Sequence, residues 1–446
     1  MERGGCAISD VTHQQDVRTQ FLEAATWHGT LEAAATILTA HPELRTSDIH
    51  TAAVLGDDAL VREHIVRDPA CVTAKSPPYG GDALNYLGLS KYLRLDPTRS
   101  EAFLRAARAL LDAGADPNTG FWTTGKFPEY ESALYGAAGV AHHAALTRLL
   151  IERGANPNDE DAVYHSPEGY DLGAMRVLVE TGKVTPENLS VMLVRKCDWH
   201  DYEGVKYLLE HGADANLGGS RGWYPLLHSI ARNNSLTIIA LLLDHHADPT
   251  TRKDGRSSIG LAARRGRGDI LDLFVKRGIT LDLQGVDRLI GACAMNDAAR
   301  VRELTQREPQ LVAQLLEQGG TLLAEFTGTW NTAGVRSLLD LGVPVTARYK
   351  GDGYFDLAPD STALHVAAWQ LRADLVQLLL ERGAAVDARD ARNRTPLQLA
   401  VKACVDSYWT ERRTPEPARL LLRAGATTAG VPVPSGYADL DKLFDS

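Results

Sequence analysis

Ionisable and aromatic side chains are concentrated between residues 131 and 228. The candidate general acids and bases are His165, Glu168, Lys196, Asp198 and His200. Groups of these types transfer protons at neutral pH when burial and nearby charges shift their pKa values. The candidate ligand-binding residues, which could hydrogen-bond to a small molecule or enclose it, are Glu131, Tyr135, His142, Tyr164, Tyr170, Trp199 and Trp223. The sequence therefore predicts a polar, aromatic-lined pocket; the alternative is a polar network that ties loops together.

No short motif in the sequence specifies a nucleotide or a metal. The P-loop, G-x-G-x-x-G and H-E-x-x-H patterns are absent. The five cysteines lie far apart and never form a C-x-x-C pair, which argues against a disulfide framework and against a thiolate zinc site. We therefore expect no cofactor and no metal, and the sequence leaves open whether the protein is an enzyme.

A phrase made of paired leucines, a glycine or histidine and a short turn recurs along the chain. Its copies are ALLDAGADPN from Ala109, RLLIERGANPN from Arg148, YLLEHGADAN from Tyr207, ALLLDHHADPT from Ala240 and QLLLERGAAVDA from Gln377. The leucines give a helix one apolar face, glycine suits a left-handed C-cap, and Asp or Asn favours the turn that follows. Each copy therefore predicts the end of a helix.

A second phrase, rich in alanine, accompanies the first. Its copies start at Glu131, Tyr224, Ser257, Ser361 and Arg394, and weaker copies start at Phe21, Ile49, Cys293 and Thr327. Small side chains let neighbouring helices approach closely. One such unit cannot bury its apolar face alone, so the pattern predicts units that stack on their neighbours.

The two phrases together are similar to the consensus of the ankyrin-repeat family, and the segment from Ser361 to Ala384 resembles it almost position for position. The resemblance extends over about twelve units of bacterial type, several of them degenerate. It implies an all-α ankyrin-repeat solenoid of stacked helix-turn-helix units with a concave face. We expect an N-terminal extension over 1–17, the repeat array over 18–430 and a C-terminal tail or cap over 431–446.

Two charged residues depart from this consensus. Arg195 and Lys196 stand where a repeat usually has Leu and Ala. A charge at a semi-buried position is costly unless it is paired, so we expect both side chains to have acidic or polar partners in the neighbouring units.

Three segments interrupt the period, at 91–100, 121–130 and 405–417. Insertions in repeat proteins fall in loops on one face, which is often the binding face. The residues that we expect to contact a protein partner are Tyr92, Arg94, Phe121 and Trp122.

Charge and hydropathy narrow the classes of partner. The formal net charge is -10, which repels a phosphate backbone, so we expect no nucleic acid. The strongest local basic cluster, Arg264, Arg265 and Arg267, is expected to be a solvated surface. The chain has no apolar run long enough to cross a bilayer and does not start like a signal peptide, which favours a cytoplasmic protein with no membrane partner.

The family resemblance implies a cytosolic scaffold that binds a protein partner along its concave groove. The alternative is an enzyme or a small-molecule binder that uses the central cluster between 131 and 228. Fold alone does not decide between them.

Overall fold

The structure is a computed structural model that describes residues 17–219, 222–407 and 410–444. Nearly all of the N-terminal extension expected over 1–17, Cys6 included, lies outside the described residues.

The chain divides into two compact units. The first comprises Met1–Ser229 and Leu241–Ala247, and the second comprises Ile230–Ala240 and Asp248–Ser446. Each unit is described by itself below.

Apolar residues at helical spacing build the helices, and polar residues and glycines set their ends. Phe103, Ala107 and Leu110 recur every three or four positions and are buried on one face of a single helix. The chain leaves that helix through Gly114, whose φ of 99° is reached at low cost only by glycine. Asp57 accepts a backbone hydrogen bond at the start of another helix. These are the local features that the repeated phrases predict.

The first unit is built from short helices. They are α1 over 17–25, α2 Leu31–Ala40, α3 Ile49–Leu55, α4 Asp58–Arg67, α5 Ala83–Gly88, α6 Lys91–Leu95, α7 Ser100–Asp112, α8 Ala133–Tyr135, α9 Ala144–Glu152, α10 Glu160–His165, α11 Gly173–Glu180, α12 Pro186–Asp198 and α13 Tyr202–Glu210. Shorter 3-10 helices occupy Pro42–Thr46, Pro69–Val72 and Pro97–Arg99, a π-helical segment occupies Gly136–Val140, and strands β1 Gly120–Trp122 and β2 Tyr130–Ser132 form an antiparallel hairpin.

Helices of the first unit pack in two rows. The first helix of each pair contacts the first helix of another, as α3 does α5, α5 does α8, and α10 does α12. The second helices do the same, with α4 against α7, α7 against α9, and α9 against α11. This neighbour-on-neighbour packing is the arrangement that a stack of repeats requires.

The second unit repeats this architecture. The division between the units falls within α14 Pro225–Ala231 and α15 Leu236–Asp244. The remaining helices are α16 Ser258–Arg264, α17 Gly268–Lys276, α18 Asp287–Ala294, α19 Ala298–Arg307, α20 Gln310–Leu316, α21 Gly319–Gly328, α22 Thr332–Asp340, α23 Ala363–Trp369, α24 Ala373–Glu381, α25 Pro396–Val405, α26 Glu416–Arg423 and α27 Ala438–Phe444, with a 3-10 helix Thr410–Arg412 and a small hairpin of β3 Arg252–Lys253 and β4 Arg256–Ser257. First helices again pack together, α21 on α23 and α23 on α25.

In chain order, the described helices form twelve helix-turn-helix pairs, with α6, α20 and α27 as additions. Over the residues that the structure describes, the protein is therefore all-α apart from two small hairpins.

The inserted segments take different structures. Segment 91–100 forms α6 and a 3-10 helix, and segment 121–130 lengthens the hairpin of β1 and β2. Segment 405–417 includes Thr410–Arg412, with residues 408 and 409 outside the described part. A further insertion, which the sequence patterns do not reveal, runs from 344 to 361 and is held by isolated bridges that join Tyr349 to Ser361 and Asp352 to Leu357. The tail after Gly430 includes α27, which buries Leu440.

The expectation of a solvated arginine cluster is wrong. Arg265 and Arg267 are only 8% and 5% exposed. Arg267 pairs with Asp269 at 2.8 Å, and Arg264 forms an ion pair with Asp287. The reason is that Arg265 is enclosed where α16 packs against α21, while the Arg267 guanidinium donates to the Asn233 side chain and to the carbonyl oxygen of Asn234.

The closest approach of two first helices in the first unit depends on glycine. A Cβ added at Gly136 would lie 2.6 Å from the backbone carbonyl carbon of Gly88, and one added at Gly88 would lie 2.8 Å from the carbonyl oxygen of Ala133. Neither glycine has a positive φ. Both are therefore required by interhelical distance and not by backbone conformation.

Replacing Gly136 by alanine should destabilise the first unit by about 1–3 kcal/mol, because the added methyl group forces two backbones apart. The measurement is urea-induced unfolding. Gly353→Ala is the matched control, since a Cβ there meets nothing within 4 Å. Equal stability of the two variants would contradict the packing described.

Candidate functional site

Arg195, on α12, joins two carboxylates. Its guanidinium lies 2.5 Å from Oε1 of Glu168 and 2.6 Å from Oδ2 of Asp198. It also lies 4.2 Å from the centre of the Tyr164 ring, in the geometry of a cation–π contact. Arg195 thus has the partners that a charge at this position needs.

Two histidines extend this group. His165 Nδ1 lies 3.0 Å from Oε1 of Glu168, and His228 Nε2 lies 2.7 Å from Oδ1 of Asp198. We call Tyr164, His165, Glu168, Arg195, Asp198 and His228 the Arg195 cluster. Three of the five candidate acid–base residues, His165, Glu168 and Asp198, are therefore brought together.

The charges of the Arg195 cluster balance one another. Burial alone would raise the pKa of Glu168, but the hydrogen bond from His165 and the positive charge of Arg195 outweigh it, so the net pKa lies below the usual value. A general base works best when its pKa is near the ambient pH. Glu168 stays ionised and paired, so the arrangement suits a network that joins repeats better than proton transfer.

The other two candidate acid–base residues lie outside the cluster. Lys196 is fully buried, and its Nζ lies 2.9 Å from Oδ2 of Asp201 and 2.9 Å from the carbonyl oxygen of Gly169. Burial lowers the pKa of Lys196, while the hydrogen bond and charge of Asp201 oppose the shift. Asp201 also caps α13, so this ion pair fastens α12 to α13. His200 is exposed in the turn between them, with a φ of 53°.

Of the aromatic candidates, Trp223 contacts the Arg195 cluster, whereas Tyr170 and Trp199 contact each other. Trp223 stacks on His228 with ring centres 5.7 Å apart. Tyr170 is 70% exposed and meets Trp199 edge to face at 6.2 Å. The thiol of Cys197 is buried, which raises its pKa to about 12 and makes it a poor nucleophile.

Glu131 belongs to a second group of residues, the Glu131 group, which comprises Trp27, Tyr79, Asn85, Phe121, Glu131 and Tyr135. In the hairpin Glu131 stands directly opposite Phe121, so the two side chains share a face. Glu131 is only 3% exposed, and among the described residues its Oε2 has no hydrogen-bond partner. A buried carboxyl oxygen without a partner is uncommon and calls for an explanation.

Aromatic rings pack on Phe121, the residue opposite Glu131 in the hairpin. Phe121 stacks on Tyr79 with centres 5.2 Å apart and meets Trp27 edge to face at 5.8 Å. The indole N–H of Trp27 donates to the hydroxyl of Tyr135 at 3.1 Å. Tyr135 in turn lies 5.3 Å from the ring of His165, next to the Arg195 cluster.

The electrostatic surroundings of Glu131 disfavour its charge. Burial is the largest cause and nearby carboxylates add to it, so the pKa of Glu131 is raised to about 7. Those carboxylates belong to Asp161, Glu129 and Asp159. Glu131 therefore titrates near neutral pH, unlike an ordinary glutamate.

Sequence reasoning missed Asn85, Trp27 and Tyr79. Asn85 Nδ2 donates to the carbonyl oxygen of Glu131 at 2.9 Å, and Asn85 Oδ1 is buried without a hydrogen-bond partner among the described residues. The available signal was a polar amide within the apolar run Ala-Leu-Asn-Tyr-Leu from Ala83. Trp27 and Tyr79 carry no local signal, because only packing brings them to Phe121.

His142 lies in neither group. It occupies a turn with a φ of 50°, and its Nδ1 is buried without a hydrogen-bond partner among the described residues. Burial is the main reason that its pKa is lowered, which keeps the ring neutral.

The residues expected to contact a partner differ in exposure. Trp122 is 64% exposed, whereas Phe121 is 6% exposed, because neighbours on a strand point to opposite faces. The expectation of Phe121 as a partner anchor is therefore corrected: it supports the hairpin from inside. Arg94 is exposed, and Tyr92 is half-buried with the Arg99 guanidinium 4.9 Å from its ring centre.

The second unit holds a recess that is partly open to solvent, and the empty space of about 330 Å³ in and above it includes open solvent. Its lining is Asn233, Arg265, Ala324, Glu325, Gly328, Thr329, Tyr349, Phe355, Leu357, Val366 and Gln370. Arg265 forms an ion pair with Glu325, which also accepts a hydrogen bond from the Tyr349 hydroxyl at 3.2 Å. Sequence reasoning missed this recess because the inserted segment 344–361 supplies one wall.

Comparison with known proteins identifies the repeats. Family profiles described as "Ankyrin repeats (3 copies)" and "Ankyrin repeats (many copies)" match residues 192–285 and 354–400. The ankyrin repeat protein YahD of Escherichia coli (strain K12) is 30% identical over 156 residues, which cover 77% of that protein and 32% of this chain. The chain belongs to the ankyrin-repeat family.

Two other proteins and a solved structure also match this ankyrin-repeat chain. The ankyrin repeat domain-containing protein SAT10 of Stachybotrys chartarum is 29% identical over 66% of this chain and 13% of its own length. Serine/threonine-protein kinase 12 of Arabidopsis thaliana is 37% identical over 19% of this chain and 16% of its own length. The crystal structure of the human ASB11 ankyrin repeat domain is matched over 67% of this chain and 100% of that chain, with 22% identity and a TM-score of 0.25.

Two absences hold for the described residues. No three or more His, Cys, Asp or Glu side chains in this part of the ankyrin-repeat chain are grouped to hold a metal ion. Within the same residues, no helix has both the length and the apolar character to cross a bilayer.

Replacing Arg195 by methionine should destabilise the protein by roughly 1–3 kcal/mol near neutral pH, because Glu168 and Asp198 lose their shared cation. The folded pKa of Glu168 lies below its unfolded value, so its stabilising contribution is present above that unfolded value and disappears as the pH falls. Urea unfolding at pH 7 and at pH 4 should show a smaller difference between wild type and variant at pH 4. Arg153→Met, which removes a more exposed pair with Asp112, should change stability by less than about 0.5 kcal/mol. A pH-independent loss would contradict this account.

Replacing Glu131 by glutamine should stabilise the protein above pH 7 by roughly 1–3 kcal/mol. The folded pKa of about 7 lies above the ordinary value of 4.5, so wild-type stability falls as the pH rises between these values, whereas the neutral amide avoids that loss. Thermal or urea unfolding at pH 4.5 and pH 8 measures the difference, which should vanish at the lower pH. The exposed neighbour variant Glu129→Gln should stay within about 0.5 kcal/mol at both values.

Proposed function

We propose that this ankyrin-repeat protein binds a protein partner and that the hairpin of β1 and β2 provides the main anchors. The observation that carries the proposal is the exposure of two aromatic residues there, Trp122 at 64% and Phe127 at 78%. Large exposed apolar side chains on an inserted element mark interaction sites, and tryptophan is enriched among the residues that contribute most to binding.

The hairpin is also organised before binding. Trp122 pairs in register with Tyr130, and their rings lie 5.2 Å apart. Phe121, one residue away, is buried against Tyr79 and Trp27. A preformed anchor loses less conformational entropy on binding, which supports the assignment of this hairpin to recognition.

Charge indicates the chemistry of the partner. Between residues 112 and 171 the sequence has ten aspartates and glutamates and three lysines and arginines. A complementary partner surface therefore combines an apolar pocket for the aromatic side chains with basic residues around it. Such an interface weakens as salt concentration rises.

We also propose that the protein is cytoplasmic. The free thiols of Cys71, Cys197, Cys293 and Cys404 suit a reducing, cytoplasmic compartment. We further propose that the partner docks along the concave groove and also contacts Arg94, which is exposed, and Tyr92, which is half-buried.

A second candidate function is small-molecule binding. The recess beside Arg265 and Glu325 supports it, since a concave lining of apolar side chains with a few convergent polar groups is the character of ligand-binding sites. The paired state of Glu168 and Asp198 makes an enzymatic role of the central cluster the weaker alternative.

Replacing Trp122 and Phe127 together by alanine should weaken partner binding by about 2 kcal/mol or more, which is roughly 30-fold in Kd. Proteins retained from a lysate of the source organism by immobilised wild type are first identified, and their affinities for both forms are then measured. The fold should be unaffected, because both side chains face solvent.

Tyr170→Ala is the matched control, since Tyr170 is equally exposed but lies on the loop between α10 and α11. Partners that bind the double variant as tightly as wild type would exclude the hairpin as the anchor.

A further inference from the structure

The Glu131 group contains two acceptor oxygens that no described residue satisfies. They are Oε2 of Glu131 and Oδ1 of Asn85, and both are buried. Asn85 donates its amide N–H to the carbonyl oxygen of Glu131, so the two residues are neighbours. Gly81 lies directly beside Asn85 Oδ1, since a Cβ added at Gly81 would overlap that oxygen. Two unsatisfied buried acceptors on residues that contact each other are suited to a donor that comes from outside the chain.

The charge around these oxygens favours a cation. Helix α10 packs against β2 and brings Asp161 and Asp159 close enough to raise the pKa of Glu131. Glu129 of the same hairpin acts in the same direction. A positive charge placed here is attracted by every one of these carboxylates.

Aromatic faces complete the surroundings. Trp27 and Tyr79 are half-buried, and they pack against Phe121, which stands opposite Glu131. The Trp27 indole is held by its hydrogen bond to Tyr135. Aromatic rings attract cations through their quadrupoles, and they also accommodate an aliphatic chain.

We propose that the Glu131 group binds a primary alkylammonium, the end of a lysine side chain that the protein partner presents. An ammonium has three N–H donors on one compact atom, whereas a guanidinium has five in a fixed fork, and the group offers few acceptors. This inference rests on the proposed function and names the basic residue that the partner contributes. Because both oxygens are buried, the incoming lysine side chain must displace a side chain of the protein. In this proposal the side chains that move are the half-buried rings of Trp27 and Tyr79.

The energetics of Glu131 agree with such a role. An unpaired buried carboxyl destabilises the free protein, and a bound cation removes that penalty. The groups that face Glu131 are Asp161 and Asp159 at the start of α10, Glu129 on the hairpin and the hydroxyl of Tyr135 on α8. Binding of a cation favours the ionised carboxylate, so affinity should increase as the pH rises through about 7.

The experiment is a calorimetric or NMR titration of the full chain at pH 7.5 with three probes. Nα-acetyl-lysine N-methylamide carries the ammonium, Nα-acetyl-norleucine N-methylamide has the same aliphatic chain without it, and cadaverine is the free diamine. We expect saturable binding of the lysine probe, no binding of the norleucine probe, and at least tenfold weaker lysine-probe binding by Glu131→Gln. At pH 5.5 the wild-type affinity should fall several-fold.

Two variants define the outcome. Asp161→Asn should weaken the lysine probe about threefold, and Glu101→Gln, a matched change of an exposed glutamate on α7, should bind it like wild type. Binding that is unchanged in Glu131→Gln, absence of lysine-probe binding, or tighter binding of cadaverine than of the lysine probe would each overturn the proposal. Failure to find a hairpin-dependent partner would leave this titration unaffected, so the two proposals fail separately.

Discussion

The close contact between successive first helices is the constraint on which the rest of the structure depends. At Gly88 and Gly136 two backbones approach until a single methyl group would separate them. Buried alanines do the same elsewhere, for example Ala52, Ala137 and Ala367. Because no repeat buries its own apolar face, the stability of the folded protein depends on this close spacing between neighbouring repeats. The spacing also fixes the base of every loop that leaves the stack.

The buried charged side chains near these helices have three kinds of surroundings. Arg195 and Lys196 are neutralised by carboxylates of neighbouring segments. Arg265 is enclosed by the packing of α16 on α21, with Glu325 as its counter-ion, and Arg267 pairs with Asp269. Glu131 differs from these four cations because burial and the nearest charges, which are carboxylates of the same sign, raise its pKa, and its buried Oε2 has no hydrogen-bond partner among the described residues. The contrast is the physical reason to look for function at Glu131 and for architecture at the arginines.

Much of the fold could be predicted from the sequence, because the repeat is local. The paired leucines, the glycine caps and the alanine-rich first helices each predict the local structure from a few neighbouring residues. The need of Arg195 and Lys196 for partners followed from their positions in the repeat. The site could be predicted only in part. Asn85, Trp27 and Tyr79 meet Glu131 or Phe121 through contacts between distant segments, and the burial of Arg265 depends on a helix about 60 residues further along the chain. No local sequence pattern specifies such long-range contacts. The exposure of Phe121 was predicted wrongly because the sequence does not show the strand register that directs this side chain inward.

The register of the hairpin has a consequence for how this protein could diversify. Side chains alternate between the two faces of β1 and β2, with Phe121 inward and Trp122 outward. Inserting or deleting one residue in either strand would exchange the inward and outward sets, whereas a change of two would restore them. The lengths of the two paired strands therefore have a parity, and only even changes within them would vary the outer surface while the buried aromatic base is kept. Related chains that retain the base while binding different molecules should differ here in steps of two.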